Sequence, residues 1–126
     1  VYAYTDGACS GNPGKGGLGD ILTYGPKELE ISEGYRLTTN NRMELLAVIK
    51  VLQVLKRPVE ITITSDSAYV VNAVEKGWVY GWLKKGFKDK ANADLWMLYL
   101  EAAKPHKVQF RWIKGHAGHV YNERCD

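Results

Sequence analysis

The stretch VEITITSDSAYVVNAVEK, residues 59–76, decides the fold class. Its first part, VEITITS (59–65), is dense in β-branched residues and reads as a strand. Its second part, SAYVVNAVEK (67–76), reads as a helix, with Asp66 at the junction. A strand feeding a helix that returns to the same sheet implies a right-handed crossover and parallel pairing. The chain is therefore expected to form a sheet with helices packed on it.

Upstream, Met43, Leu46, Ala47, Ile49, Leu52 and Leu55 follow helical spacing. Thr39 or Asn40 serves as the N-cap, and Pro58 ends the helix. Before it come three strands, VYAYTD (1–6), LGDILTY (18–24) and LEISEGYRL (29–37). The turns GNPGKGG (11–17) and Gly25-Pro26 join them into an antiparallel meander. Downstream, ADLWMLYLEAAK (93–104) is amphipathic with Asn92 as a cap, and VQFRWIK (108–114) is the last strand. GHAGHVYNERCD (115–126) opens as a loop and enters a helix near its end. The expected class is α/β, a mixed sheet flanked by helices, in one domain over residues 1–126.

Composition agrees. The chain has 126 residues, 45% hydrophobic and 25% charged, enough for one core. No apolar run approaches the roughly 20 residues that span a bilayer, and no signal segment opens the chain. Those features argue for a cytoplasmic protein that does not enter a membrane. Cys9 and Cys125 are read as free thiols, and no Cys/His cluster has zinc spacing. The net charge of +3 says less than its distribution. Lys76, Lys84, Lys85, Lys88 and Lys90 face one acid, Asp89, and Trp78, Tyr80, Trp82 and Phe87 lie among them. Two readings stand: a solvated helix face with core aromatics, or a polyanion-binding patch with flat surfaces for sugars and bases.

Asp6 ends the first strand before Gly7, and Asp66 ends the fourth before a helix. Ligands gather at the carboxyl ends of strands in open α/β sheets. If these strands are parallel neighbours, the two carboxylates lie side by side and repel unless a cation sits between them. Hard oxygen ligands suit Mg2+ or Mn2+. Taken singly, Asp6 also fits a turn, Asp66 a helix cap, and Glu44 a surface glutamate. Asp126 says nothing alone. His116 and His119 lie in the glycine-bracketed GHAGH, where a histidine is either solvated or, beside a metal site, a proton carrier. Lys15 is followed by Gly16 and not Ser or Thr, so GNPGKGG is not a P-loop.

Together, TDGACSGNPGKGG (5–17), TTNNRMELLA (38–47), TSDSAYV (64–70), WVYGWLKKGF (78–87), NADLW (92–96) and WIKGHAGHVYNERCD (112–126) resemble type 1 ribonuclease H, the bacterial ribonuclease HI kind. The match spans essentially the whole chain in the family's order. It implies a five-stranded mixed sheet flanked by helices. It implies hydrolysis of the RNA strand of RNA–DNA hybrids, leaving 5′-phosphate and 3′-hydroxyl ends. By position, Asp6, Glu44, Asp66 and Asp126 match the catalytic, metal-binding carboxylates, and His116 matches a mobile catalytic histidine; His119 is structural. The implied cofactor is Mg2+, with Mn2+ as substitute, two ions per site with substrate bound. Asn12, Asn40 and the backbone around Cys9 match positions facing the RNA strand. Asn41 and Trp82, with Trp78 nearby, match positions meeting the DNA strand. Lys84, Lys85 and Lys88 match a basic protrusion that grips phosphates. The implied partner is the hybrid; nothing in the sequence suggests an obligate dimer, so a monomer is expected.

The chain departs from the family in four places. Ala68 stands where close bacterial relatives carry a minor-groove glutamine. Gly81 replaces a common asparagine near the DNA phosphate. The stretch between Phe87 and Asn92 is shorter, which trims the protrusion. The sequence stops at Asp126, where the family continues into a final helix, so that helix is expected to be missing from this chain. Two rivals follow: a binding module without catalysis, and another nuclease or strand-transfer enzyme on the same fold.

Overall fold

The computed structural model describes residues 1–10, 14–88 and 90–113, without the side chains at 8–10. Asn12, His116, His119 and Asp126 lie outside the described residues, as does the side chain of Cys9.

Strands β1 (Tyr2–Ser10), β2 (Gly14–Tyr24) and β3 (Lys27–Thr38) form the antiparallel meander. Helix α1 (Asn40–Val54) leads to β4 (Glu60–Ser65), and α2 (Ala68–Glu75), α3 (Trp78–Lys84) and α4 (Ala93–Ala103) precede β5 (Lys107–Trp112). The sheet has five strands in the order β3-β2-β1-β4-β5. β4 pairs parallel to both β1 and β5, as the strand–helix–strand order requires.

One sheet face carries Ala3, Leu22, Ile61 and Ile63, which join a buried cluster with Leu45, Val48, Ile49 and Leu52 of α1. Val70 and Ala73 of α2 and Leu95, Trp96 and Tyr99 of α4 extend that core. The rings of Tyr69, Trp82 and Tyr99 each pack at an angle on Trp96, with centroids 5.8, 5.9 and 5.7 Å away. Tilted and edge-on contacts of this kind suit the aromatic quadrupole. None of the described helices is long and apolar enough to cross a membrane.

Several boundaries differ from the sequence reading. Asp6 does not end β1, which runs on to Ser10 because Gly7, Ala8, Cys9 and Ser10 keep pairing with β2. What ends beside Asp6 is the pairing with β4, whose last partners are Thr5 and Ser65. Likewise β2 begins at Gly14, inside the expected turn. Helix α1 stops at Val54, short of Pro58, because Leu55 is already extended at ψ 126°. Thr39 is its N-cap, with Oγ1 accepting from the Arg42 amide at 3.3 Å. At the next junction the cap is Ser67, not Asp66: its Oγ accepts from the Val70 amide at 3.2 Å. Asn92 occupies the N-cap position of α4 with φ 65° but makes no side-chain cap bond. Its amide is spent elsewhere, with Oδ1 accepting from Arg42 and Nδ2 donating to the Tyr69 hydroxyl.

Candidate metal centre and nucleic-acid surface

Asp6 and Asp66 meet because of sheet register. Thr5 and Ser65 are partners across the parallel pair, so the next residue on each chain lands at the same level. The backbone at Asp66 is anchored on two sides. Its carbonyl accepts from the Trp112 indole N–H at 3.2 Å, and Ser65 Oγ accepts from the Ser67 amide at 3.1 Å. Glu44 arrives one turn into α1, whose start the Thr39 cap fixes beside β1. Side-chain oxygens of Asp6, Glu44 and Asp66 lie within 4.8 Å of one another.

Asp6 is buried at 4% exposure, and the other two are half-buried. Three carboxylates this close repel in a partly dry pocket unless cations or protons offset them. Every donor is a hard oxygen, so the residues present fit a divalent ion of the Mg2+ class. The region around the cluster holds a further acid that sequence reasoning missed. Asp20 of β2 is 2% exposed, and neither of its oxygens has a hydrogen-bond partner. Burial, then the charges of Glu33 and Glu44, push its carboxyl up to about 9. The available signal was a lone aspartate inside an apolar strand, where the residue type is depleted.

Arg42 was also missed. A cation in the first turn of a helix opposes the macrodipole and calls for a partner. That partner is Asp94, which takes two guanidinium hydrogen bonds at 3.0 and 2.8 Å. The hydrogen bond from Arg42 holds the Asp94 carboxyl below its usual range. Arg42, Asn92 and Tyr69 thus brace α1, α2 and the start of α4 together. The Trp96 indole N–H completes the brace by donating to the Tyr69 hydroxyl at 2.8 Å.

The aromatic and basic segment divides between its two readings. Val79 and Phe87 are buried in the core, and half-buried Trp82 leans on Trp96. Trp78 is 46% exposed, Tyr80 is exposed, and Lys84, Lys85 and Lys88 stand in solvent. Lys76 Nζ lies 5.4 Å from the Trp78 ring and Lys90 Nζ 5.3 Å from the Trp82 ring, which couples charge to each indole face. Asn40 and Asn41 are exposed at the start of α1, one turn or less from Glu44.

Comparison with known proteins agrees with this geometry. A family model for RNase H matches residues 1–126. Ribonuclease H of Syntrophus aciditrophicus (strain SB) is 53% identical over an alignment that covers 100% of this chain and 76% of that protein. Ribonuclease H of Rhizobium etli is 54% identical, covering 100% of this chain and 86% of that one. Among solved structures, LC9-RNase H1, a type 1 RNase H with the type 2 active-site motif, superposes with a TM-score of 0.85 at 31% identity. That match covers 98% of this chain and 67% of the other. RNase H1 of Halobacterium salinarum NRC-1 gives 0.74 at 25% identity, covering 100% and 91%. The chain belongs to the ribonuclease H family and is an endonuclease that cuts the RNA strand of RNA–DNA hybrids, with divalent-metal catalysis the family's general mechanism.

Proposed function

We propose that Asp6, Glu44 and Asp66, joined by Asp126, hold the ions of this nuclease, and that His116 moves protons at the same centre. The observation that carries the reading is the convergence of three carboxylates, from β1, from α1 and from the residue after β4, to within 4.8 Å. Mg2+ is the working ion and Mn2+ its substitute, with two ions per site once substrate is bound. When bound there, the ions would supply an activated water and positive charge that offsets the negative charge on the leaving oxygen. Asp6 gives the centre a fixed, buried wall. Asp66, tied through its carbonyl to Trp112, orients the second carboxylate. His116 would take or return a proton near neutral pH. The hydrolysis leaves a 5′-phosphate and a 3′-hydroxyl.

Strand choice follows from two kinds of surface. Asn12, Asn40 and the backbone around Cys9 meet the RNA strand, where a 2′-hydroxyl distinguishes it from DNA. Asn41, Trp82 and Trp78 meet the DNA strand; an indole face packs against deoxyribose and is crowded by an added hydroxyl. Lys84, Lys85 and Lys88 hold phosphates. We take the enzyme to act as a monomer in the cytoplasm.

The test is a panel of labelled hybrid, RNA duplex, DNA duplex and single strands, each with Mg2+, Mn2+ or chelator. The expected result is cleavage of the hybrid alone, only with an ion, and with 5′-phosphate products. Hybrid retardation in a gel without cleavage would mean a binding module, and cleavage of DNA duplex a different nuclease on this fold. A second expectation concerns the patch. Replacing Lys84 and Lys85 together by alanine lowers the salt dependence of hybrid binding by about 0.9 in log–log slope for each phosphate no longer neutralised. An unchanged slope excludes these lysines from the interface.

A further inference from the structure

Gly7 has no room for a side chain. A Cβ built there would lie 2.4 Å from the Met43 carbonyl carbon, 2.6 Å from its oxygen and 2.6 Å from the Glu44 nitrogen. At Gly25, Gly77, Gly81 and Gly86 an added Cβ would meet nothing within 4 Å, and at Gly17 the nearest atom is 3.2 Å away. Gly7 is absent from the glycines with positive φ, so what the position requires is space and not a special backbone conformation. The atoms in the way are backbone of the first turn of α1, which cannot rotate aside as a side chain could. Non-bonded carbons prefer about 3.5–4.0 Å, so a methyl group would drive the helix start away from β1 by about 1 Å.

The covalent neighbours of this contact are the two residues that matter. Gly7 follows Asp6, and Met43 precedes Glu44. We infer that Gly7 is a positioning residue: its missing side chain sets the gap between Asp6 and Glu44 and so fits the centre to Mg2+ in preference to larger cations. This inference rests on the metal reading given above. Its physical basis is the difference between the ions. Mg2+ demands near-octahedral oxygens at about 2.0–2.1 Å, while Ca2+ accepts about 2.3–2.6 Å with loose geometry. A centre widened by a methyl group therefore loses the small ion first.

The experiment titrates the melting temperature of the wild type, Gly7→Ala and Asp6→Asn with MgCl2 and, separately, CaCl2, without nucleic acid, and extracts ion affinities. In Gly7→Ala, Mg2+ binding is expected to weaken by about tenfold or more, and Ca2+ binding by about threefold or less. In hybrid cleavage with Mg2+, the loss should fall on kcat, with KM for the hybrid within about twofold. Where the variant is poorly folded, the titration is repeated in trimethylamine N-oxide, which favours the compact state. Equal losses for the two ions, or none, overturn the inference. So does a Gly7→Ala chain that stays unfolded in the osmolyte, since the glycine would then serve the fold and not the centre. A wild type that shows no ion-dependent shift, or an Asp6→Asn variant that shifts like the wild type, removes the metal reading itself and this inference with it.

Discussion

Asp6→Asn lowers hybrid cleavage by roughly 10³-fold or more while the chain stays folded. The substitution keeps the shape of the side chain and removes its charge. Asp6 sits within β1, paired with β2 across Gly19 and following the last parallel partner on β4, so its backbone does not depend on the carboxylate. At 4% exposure, little solvent is available to take over the work of a lost ligand. Metal catalysis contributes several kcal/mol of transition-state stabilisation, and each ~1.36 kcal/mol is tenfold in rate. In chelator, the same change relieves repulsion with Glu44 and Asp66, so the melting temperature should hold or rise. Single-turnover cleavage with Mg2+ and a melt in chelator check the two halves. Near-wild-type cleavage by the variant would remove Asp6 from the centre.

Asp20→Asn makes the protein more stable at alkaline pH by an amount on the order of a few kcal/mol. In the unfolded chain Asp20 ionises at 3.8, and in the fold it keeps its proton until about 9. Its folded value is raised, so any stabilisation it gives is complete below 3.8 and is lost as pH rises toward 9. Across that window the unfolded state binds fewer protons than the native one, and each pH unit costs about 1.36 kcal/mol. Asparagine cannot ionise, so its variant lacks this slope. It still buries an amide without partners, so near pH 4 the two proteins should be alike, or the variant slightly weaker. Urea unfolding at pH 4, 6 and 8 measures the difference. Parallel stability curves for the two proteins would show that Asp20 is ionised in the fold.

Much of this architecture could be read from residues 59–76, because a β-branched run followed by a helix leaves few choices of connection. Asp6 and Asp66 could be paired in advance for the same reason: parallel neighbours put equivalent positions level. The longer reach of β1 could not be read, since Gly7 and Ala8 are depleted in strands and residues 7–10 are held by the ladder to β2. Helix α3 was legible only as one of two readings of its segment. It starts after Gly77 at φ 76° and buries only Val79 fully, too little for a periodic signal. Arg42 and Asn92 found their partners across long sequence separations, which no local pattern encodes. Asp20 failed differently. Its alternation was right for a strand, but a carboxyl in the inward position runs against the rule that buried polar groups are hydrogen-bonded.

The centre draws one carboxylate each from the first strand, the first helix and the end of the fourth strand. A loaded ion would therefore be a removable staple across three pieces of chain. Fraying of β1, or lifting of the helix start, would have to expel the ion first, and the cost of that opening grows with the logarithm of ion concentration. On the proposed metal reading, the lifetime of the enzyme against proteases is expected to follow the divalent-ion supply of its surroundings, quite apart from whether any hybrid is present to be cut.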